Sequence, residues 1–243
     1  MRVAAVVQAR MGSTRLPGKV LRPLGGRPVL SWVLRAVEAS GCADEVVVAT
    51  TVLPEDDPVE QWARESGVAV VRGSADDVLA RYLDALAAHP ADAVVRLTAD
   101  CPLLDPALLR GVVALWRSAP DAYDYVATTL ERTLPRGLDV ELVSAPALRR
   151  AGAGAGGHHR AHVTSYVWSR PDLFRLGGLV VRPAAADLRV TLDTAEDAAL
   201  LDALVARLGD APPDWRELVG VLRSSPDLVA LNAAVQQKEL EEG

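Results

Sequence analysis

The sequence predicts an α/β fold built on a doubly wound, mainly parallel sheet. Three observations lead there. Short apolar, β-branched runs alternate with helical patterns along most of the 243 residues. Runs such as Val46-Val47-Val48 and Ala93-Val94-Val95 are apolar on both faces, as strands covered by helices on two sides must be. The chain is long enough for one large core, or a core with a lobe, and 50% of its residues are hydrophobic against 24% charged.

Taken in order, strands are expected at residues 3–7, 45–50, 68–71, 93–97, 125–128, 140–143 and 188–192. Helical patterns fall between them at 28–39, 58–65, 77–88, 106–116 and 145–151, with later helices at 195–208 and 215–222. A β-α-β-α order of this kind implies parallel strands joined by right-handed crossovers. Asp105-Pro106 reads as an N-cap followed by proline at the first helical position, a structural role. No repeat or long linker splits the chain, so residues 1–243 read as one domain. The Ala/Gly stretch 151–157 is expected to be flexible and to hinge a small acceptor or dimerisation lobe over about 129–187.

Composition removes several classes of function. No uncharged run approaches the roughly 20 apolar residues that a membrane helix needs. The apolar start, residues 3–7, is too short for a secretory signal, and Gln8 and Arg10 follow at once. Two cysteines, Cys42 and Cys101, make neither a disulfide framework nor a four-ligand zinc site. These features read as a cytoplasmic protein with no membrane partner. The net charge of −6 argues against nucleic acid, but its distribution is uneven. Residues 1–37 hold seven basic residues and no acid, leaving −13 on the other 206. A compact cationic segment in an acidic protein suggests a small anionic ligand. Of the 26 basic residues only Lys19 and Lys238 are lysines, and Lys238 sits in a polar tail expected to fray. Lys19 lies among glycines and arginines, where an ammonium offers a compact point charge that a planar guanidinium does not.

In a doubly wound sheet, ligands bind beyond the carboxyl ends of the strands, so the polar residues there are the first suspects. The loop Gln8-Ala9-Arg10-Met11-Gly12-Ser13-Thr14-Arg15-Leu16-Pro17-Gly18-Lys19 follows the first strand directly. Its glycines allow backbone N–H groups to approach phosphate oxygens, and its cations neutralise them. Gly12 and Gly18 are separated by five residues and Val20 follows Lys19, so this is not a Walker A motif. The competing reading is a solvated basic loop. Asp100, at the tip of the strand 93–97, is placed to hold Mg²⁺ near a triphosphate, or to form a turn before Pro102. Asp193 follows the last expected strand and could hold a metal. With Glu196 three residues on, it equally fits a capping box. In Ser74-Ala75-Asp76-Asp77 capping is the favoured reading. His158, His159 and His162 have helical spacing but no flanking Cys or acid, which makes zinc the weaker reading. Gly152, Gly154 and Gly157 satisfy G-x-G-x-x-G without a preceding strand, so they do not form a dinucleotide fingerprint.

Residues 8–21 resemble the opening signature of the SpsF-like spore-coat polysaccharide cytidylyltransferases, relatives of the CMP-KDO and CMP-acylneuraminate synthetases. The resemblance continues through Glu55–Pro58, Arg72–Tyr82, Val95–Leu103, Gly137–Glu141, His162–Thr164 and Leu188–Thr194, so it spans about residues 1–205. It implies a Rossmann-like fold of the nucleotidyltransferase, GT-A-like type, Mg²⁺ as cofactor, CTP and a sugar or sugar acid as substrates, and a homodimer. By the same resemblance Gln8, Ala9, Arg10, Gly12, Ser13, Arg15, Lys19 and Thr98 are nucleotide-binding, and Arg72 and Ser74 lie near base and ribose. Asp100 and Asp193 are paired metal ligands, and Lys19, Arg15 and Asp100 carry catalysis. Glu141 and His162 face the acceptor. One departure is Ala161, where relatives often carry Glu before His-Val-Thr. The implied reaction transfers CMP from CTP and releases pyrophosphate. The alternatives are a GT-A glycosyltransferase consuming a nucleotide-sugar, and a catalytically silent nucleotide-binding module. The first would usually show Asp-x-Asp, and Asp100 is followed by Cys101-Pro102.

Overall fold

The computed structural model describes residues 1–236; Lys238 lies outside the described residues. The chain opens with β1 (Val3–Gln8), a 3-10 turn at Lys19–Leu21, a short hairpin of β2 (Pro23–Leu24) and β3 (Arg27–Pro28), and α1 (Val29–Ser40). It continues with β4 (Glu45–Thr51), α2 (Asp57–Glu65), β5 (Ala69–Gly73), α3 (Val78–Ala88), β6 (Ala93–Thr98) and α4 (Pro106–Ser118). Then follow β7 (Tyr125–Ala127), β8 (Glu141–Ser144), α5 (Ala145–Gly154), α6 (His158–Ala161), α7 (Ser165–Trp168) and β9 (Leu176–Gly178). The last described elements are α8 (Ala195–Leu208), α9 (Trp215–Ser224) and α10 (Pro226–Leu231).

Seven strands form one sheet in the order β5-β4-β1-β6-β8-β7-β9. The first four are mutually parallel, β8 runs antiparallel to β6 and β7, and β9 is parallel to β7. Side-chain alternation sends each strand into two cores. Val3, Ala5 and Val7 share one core with Trp32 and Val33 of α1, Leu109 and Val112 of α4 and Leu201 of α8. Val6 shares the other with Leu79 and Tyr82 of α3 and Leu148 of α5. This is the doubly wound arrangement that the two-faced apolar runs predict. Asp105 accepts from the Ala107 amide at 2.6 Å and also from the Trp215 amide at 2.9 Å, so one cap ties α4 to α9.

Two expectations are corrected. Residues 188–192 form no strand of the sheet. The segment makes a single bridge, Arg136 with Arg189, while Leu192 N donates to the Asp100 carbonyl at 2.8 Å. Its alternation is real, since Leu188, Val190 and Leu192 are buried, but β8 occupies the place beside β6. The segment instead crosses Gly137, whose φ of +102° suits glycine and whose Cβ would stand 2.6 Å from the Val190 carbonyl carbon. Second, the stretch 151–157 is helical as far as Gly154, because Gly152 and Gly154 give room to Leu83 and Tyr166. Segment 129–187 supplies β8 and β9 to the sheet. The edge strand β9, Leu-Gly-Gly, carries none of the β-branched residues that mark strands in a sequence.

Candidate active site

A cleft of about 770 Å³ opens over the carboxyl ends of β1 and β6. Gln8, Ala9, Arg10, Ser13, Arg15, Lys19, Thr98, Asp100, Glu141, His162 and Asp193 all line it. The loop after β1 is wound around one carbonyl: Met11 O accepts from Ser13 N at 2.8 Å and from Gly18 N at 2.9 Å. It is pinned from below by Asp56, a buried carboxylate that accepts from Met11 N at 2.6 Å. Gly18 holds φ +71° and ends the loop at the 3-10 turn that begins with Lys19.

Lys19 is buried at 9% exposure, and the reading of a solvated basic loop fails at this residue. Its Nζ donates to Asp100 Oδ2 at 2.7 Å, to Asp193 Oδ1 at 2.8 Å and to the Leu192 carbonyl at 2.8 Å. Burial acts to lower the lysine's pKa, but the charges and hydrogen bonds of Asp100 and Asp193 outweigh it and hold the ammonium above its ordinary range. Burial likewise acts to raise Asp193, and Lys19, Arg189 and Arg15 overcome it, holding the carboxyl below the usual range. Arg15 reaches Asp193 at 3.1 Å and Arg189 reaches it at 2.6 Å.

Asp193 is not the helix cap. The N-cap of α8 is Thr194, whose hydroxyl accepts from Asp197 N at 3.3 Å, while the Asp197 carboxylate accepts from Thr194 N at 3.1 Å. The capping box sits one residue later than Asp193 and Glu196 suggest, which leaves the Asp193 carboxylate to the cleft. Asp100 accepts from Lys19 and, at 3.7 Å, from the Cys101 thiol, and among the described residues no backbone amide donates to its carboxylate. Two carboxylates thus converge on one cation. Such a pair of hard-oxygen donors fits Mg²⁺, which binds one or two carboxylates and fills its other positions with water and substrate phosphates. Among the described residues, no group of three or more His, Cys, Asp or Glu could form an all-protein metal cage.

Glu141, at the start of β8, is buried in the cleft wall on the β8 side. It accepts from Arg96, from Tyr125 Oη at 2.7 Å and from the Thr164 hydroxyl. Burial alone raises its pKa, yet Arg96 and these donors keep it below the ordinary carboxylate range. A carboxylate so fully engaged orients its neighbours and makes a poor base. His159 donates to or accepts from Ser165 Oγ at 2.8 Å and its ring lies 4.1 Å from that of His158, so these two histidines contact other side chains.

Three expected site residues do not line the cleft. Arg72 is turned onto the outer edge, donating to the Thr51 and Leu53 carbonyls at 2.7 and 2.9 Å and pairing with Asp57 and Glu60 at 2.7 and 2.5 Å. Ser74 accepts from Asp77 N at 3.0 Å in the turn before α3. Gly12 faces Glu55, whose Oε1 would lie 2.6 Å from a Cβ there. Conversely, Arg81, Arg96, Arg136 and Asp139 line the cleft without having been singled out. The first two carried a signal: Arg81 lies on the apolar stripe of a helix, and Arg96 interrupts the buried run Val94-Val95-Arg96-Leu97.

A family model described as Cytidylyltransferase matches residues 4–181. The spore coat polysaccharide biosynthesis protein SpsF of Bacillus subtilis is 34% identical over 231 residues, covering 91% of this chain and 94% of that protein. A 3-deoxy-manno-octulosonate cytidylyltransferase of Synechococcus elongatus is 39% identical over 123 residues, 49% of this chain and 48% of that protein. The solved structure of a cytidylyltransferase from Leptospira borgpetersenii superposes with a TM-score of 0.91 at 32% identity, covering 98% of this chain and all of that one.

Proposed function

The chain belongs to the cytidylyltransferase family and is a nucleotidyltransferase, and from that premise we propose that it transfers CMP from CTP to a sugar or sugar acid in a Mg²⁺-dependent reaction. The observation that carries the reading is the convergence of Asp100 and Asp193 on Lys19 at the mouth of the glycine- and arginine-bearing loop. A sugar-acid acceptor is supported by the 3-deoxy-manno-octulosonate cytidylyltransferase relative.

In this mechanism the acceptor hydroxyl attacks the α-phosphorus in line, forming the sugar O–P bond as the bond to pyrophosphate breaks and the hydroxyl proton passes to solvent. Arg15 and Lys19 neutralise the negative charge that accumulates on the departing pyrophosphate, the electrostatic contribution that dominates phosphoryl-type transfer. Asp100 and Asp193 would hold Mg²⁺. When bound, that ion supplies a Lewis acid that neutralises phosphate charge and lowers the acceptor hydroxyl's pKa. Arg189 keeps Asp193 aimed into the cleft, since its guanidinium is itself fixed by Asp197 at 2.9 Å. Glu141, gripped by Arg96, Tyr125 and Thr164, shapes the acceptor end together with His162.

The test is a pyrophosphate-release screen of the four NTPs against sugars and sugar acids, with Mg²⁺ and with EDTA. CTP with a sugar acid and Mg²⁺ should give turnover, and CTP should raise the melting temperature far more with Mg²⁺ than with EDTA. Preference for another NTP, or for a nucleotide-sugar, overturns the reading.

A further inference from the structure

Arg81 is the most deeply buried cation in the cleft wall, at 2% exposure, on the stripe of α3 that also carries Val78, Tyr82 and Ala85. Its Nε and Nη1 are buried without a hydrogen-bond partner among the described residues. Burial holds its pKa below the ordinary arginine range; Tyr82, Asp56 and Asp77 act against that shift and Arg10 adds to it, and both carboxylates are committed elsewhere. Asp56 accepts from Met11 N at 2.6 Å and from the Thr51 hydroxyl. Asp77 accepts from Ala80 N at 2.9 Å and from Arg160 Nε at 2.9 Å. The Nε and Nη1 N–H groups are thus buried with nothing to donate to among the described residues. Buried donors in that condition are costly, and a ligand that supplies acceptors recovers the cost.

Position decides which part of a ligand that is. Arg15, Lys19 and Asp100 lie on the loops after β1 and β6, in the middle of the sheet, and Glu141 lies on β8 to one side. With phosphates in the middle and the acceptor on the β8 side, the nucleoside falls toward β5 and α3, where Ala75, Asp76, Val78 and Arg81 form the wall. Arg72, expected at the base, is locked onto α2 instead.

We propose that Arg81 reads the nucleotide base, donating from its guanidinium to the O2 and N3 acceptors of cytosine. This rests on the CTP reading above and extends it to selectivity. Uracil offers O2 but carries a hydrogen on N3, so the same donors favour cytosine, and a site built to hydrogen-bond one edge rejects an edge that leaves it unpaired. A neutral base edge supplies acceptors to the buried Nε and Nη1 without carrying a second charge into the cleft wall.

The experiment is calorimetric titration of CTP and UTP, each with Mg²⁺, into wild type, Arg81→Leu and Arg81→Lys, with melting temperatures of each protein. Wild type should prefer CTP. Arg81→Leu should lose roughly 10- to 100-fold of CTP affinity and little for UTP, the scale of hydrogen bonds from a charged donor. Its melting temperature should hold or rise, because an apolar group replaces an unsatisfied buried cation. Arg81→Lys keeps the charge but loses the planar fork, so it too should lose the CTP preference, and it serves if the leucine variant does not fold. Equal losses for CTP and UTP place Arg81 on the phosphates and overturn the proposal, as does either variant keeping the wild-type preference. A wild type that binds neither nucleotide, or binds both alike, overturns the CTP reading and this inference together. That failure appears in the unmutated protein and so cannot be confused with the others.

Discussion

The Lys19 ammonium donates to the Asp193 carboxylate at 2.8 Å, a contact across 174 positions that joins the loop after β1 to the entrance of α8. Asp100 and the Leu192 carbonyl complete the cradle. Three acceptors converging on a single nitrogen suit an ammonium, with its three N–H groups on one atom, and not a guanidinium, whose donors lie spread in a plane. That geometry accounts for a lysine at the one described position where this arginine-rich chain uses it.

Lys19→Ala should therefore lose two distinct things. Turnover should fall by roughly two to three decades, the cost of one strong electrostatic donor. Stability should fall by about 2 kcal/mol, because Asp100 is left in the cleft wall without its counter-charge. Lys19→Arg should restore neither fully. Pyrophosphate release and urea denaturation measure the two effects, and near-wild-type turnover in Lys19→Ala would refute the assignment.

Asp193→Asn and Thr194→Ala should separate metal ligation from capping. Asparagine keeps the size and one acceptor, and Arg189 retains Asp197, so stability should shift by only about 1 kcal/mol while turnover collapses. Thr194→Ala removes a cap and should cost about 1 kcal/mol with turnover per folded molecule unchanged. The comparison to make is activity against denaturation midpoint. Normal turnover in Asp193→Asn rules out the paired-carboxylate site.

Glu141→Gln should destabilise by about 3 kcal/mol, since it leaves Arg96 buried beside a neutral amide. It should also change the acid limb of stability. Glu141 has a folded pKa below its unfolded value, near 4.3 for a free glutamate, so its contribution is fully present above that value and is lost as pH falls through the folded pKa. Wild type should thus lose stability steeply below about pH 4, and the variant less steeply. Urea titrations from pH 2.5 to 7 give both slopes, and parallel slopes would count against this role for Glu141.

Arg72→Ala should leave CTP affinity within about twofold and lower stability by about 1 kcal/mol, because its partners are carbonyls and carboxylates of the β4–α2 edge that water can partly replace. A large loss of CTP affinity at unchanged stability would return Arg72 to the nucleotide.

The two-faced runs at Val46-Val47-Val48 and Ala93-Val94-Val95 made the doubly wound sheet legible in the sequence, because burial on both faces leaves no polar alternation to disguise a strand. The place of the loop from Gln8 to Lys19 in the cleft was legible for a related reason: glycines, hydroxyls and cations packed into twelve consecutive residues after a buried strand mark a polar strand end locally. Asp193 was half legible. Its position after an apolar run marked it, but Thr194 and Asp197 on one side, and Asp193 and Glu196 on the other, offer the same capping spacing, and only the folded helix end shows which pair closes. The run 188–192 misled because buried alternation looks the same whether a segment joins a sheet or crosses a glycine beside it. By itself, then, the sequence determined the parallel strands at the centre of the sheet, the main helices that cover them and the composition of the loop, all properties of neighbouring residues. Tertiary structure alone decided that Lys19 closes on Asp100 and Asp193, that Arg72 turns away and that Arg81 faces the cleft. The Lys19 contacts join side chains 81 and 174 positions apart and those of Arg72 cross from β5 to β4 and α2, and hydrogen-bond partners on separate elements are set by packing, not by local pattern.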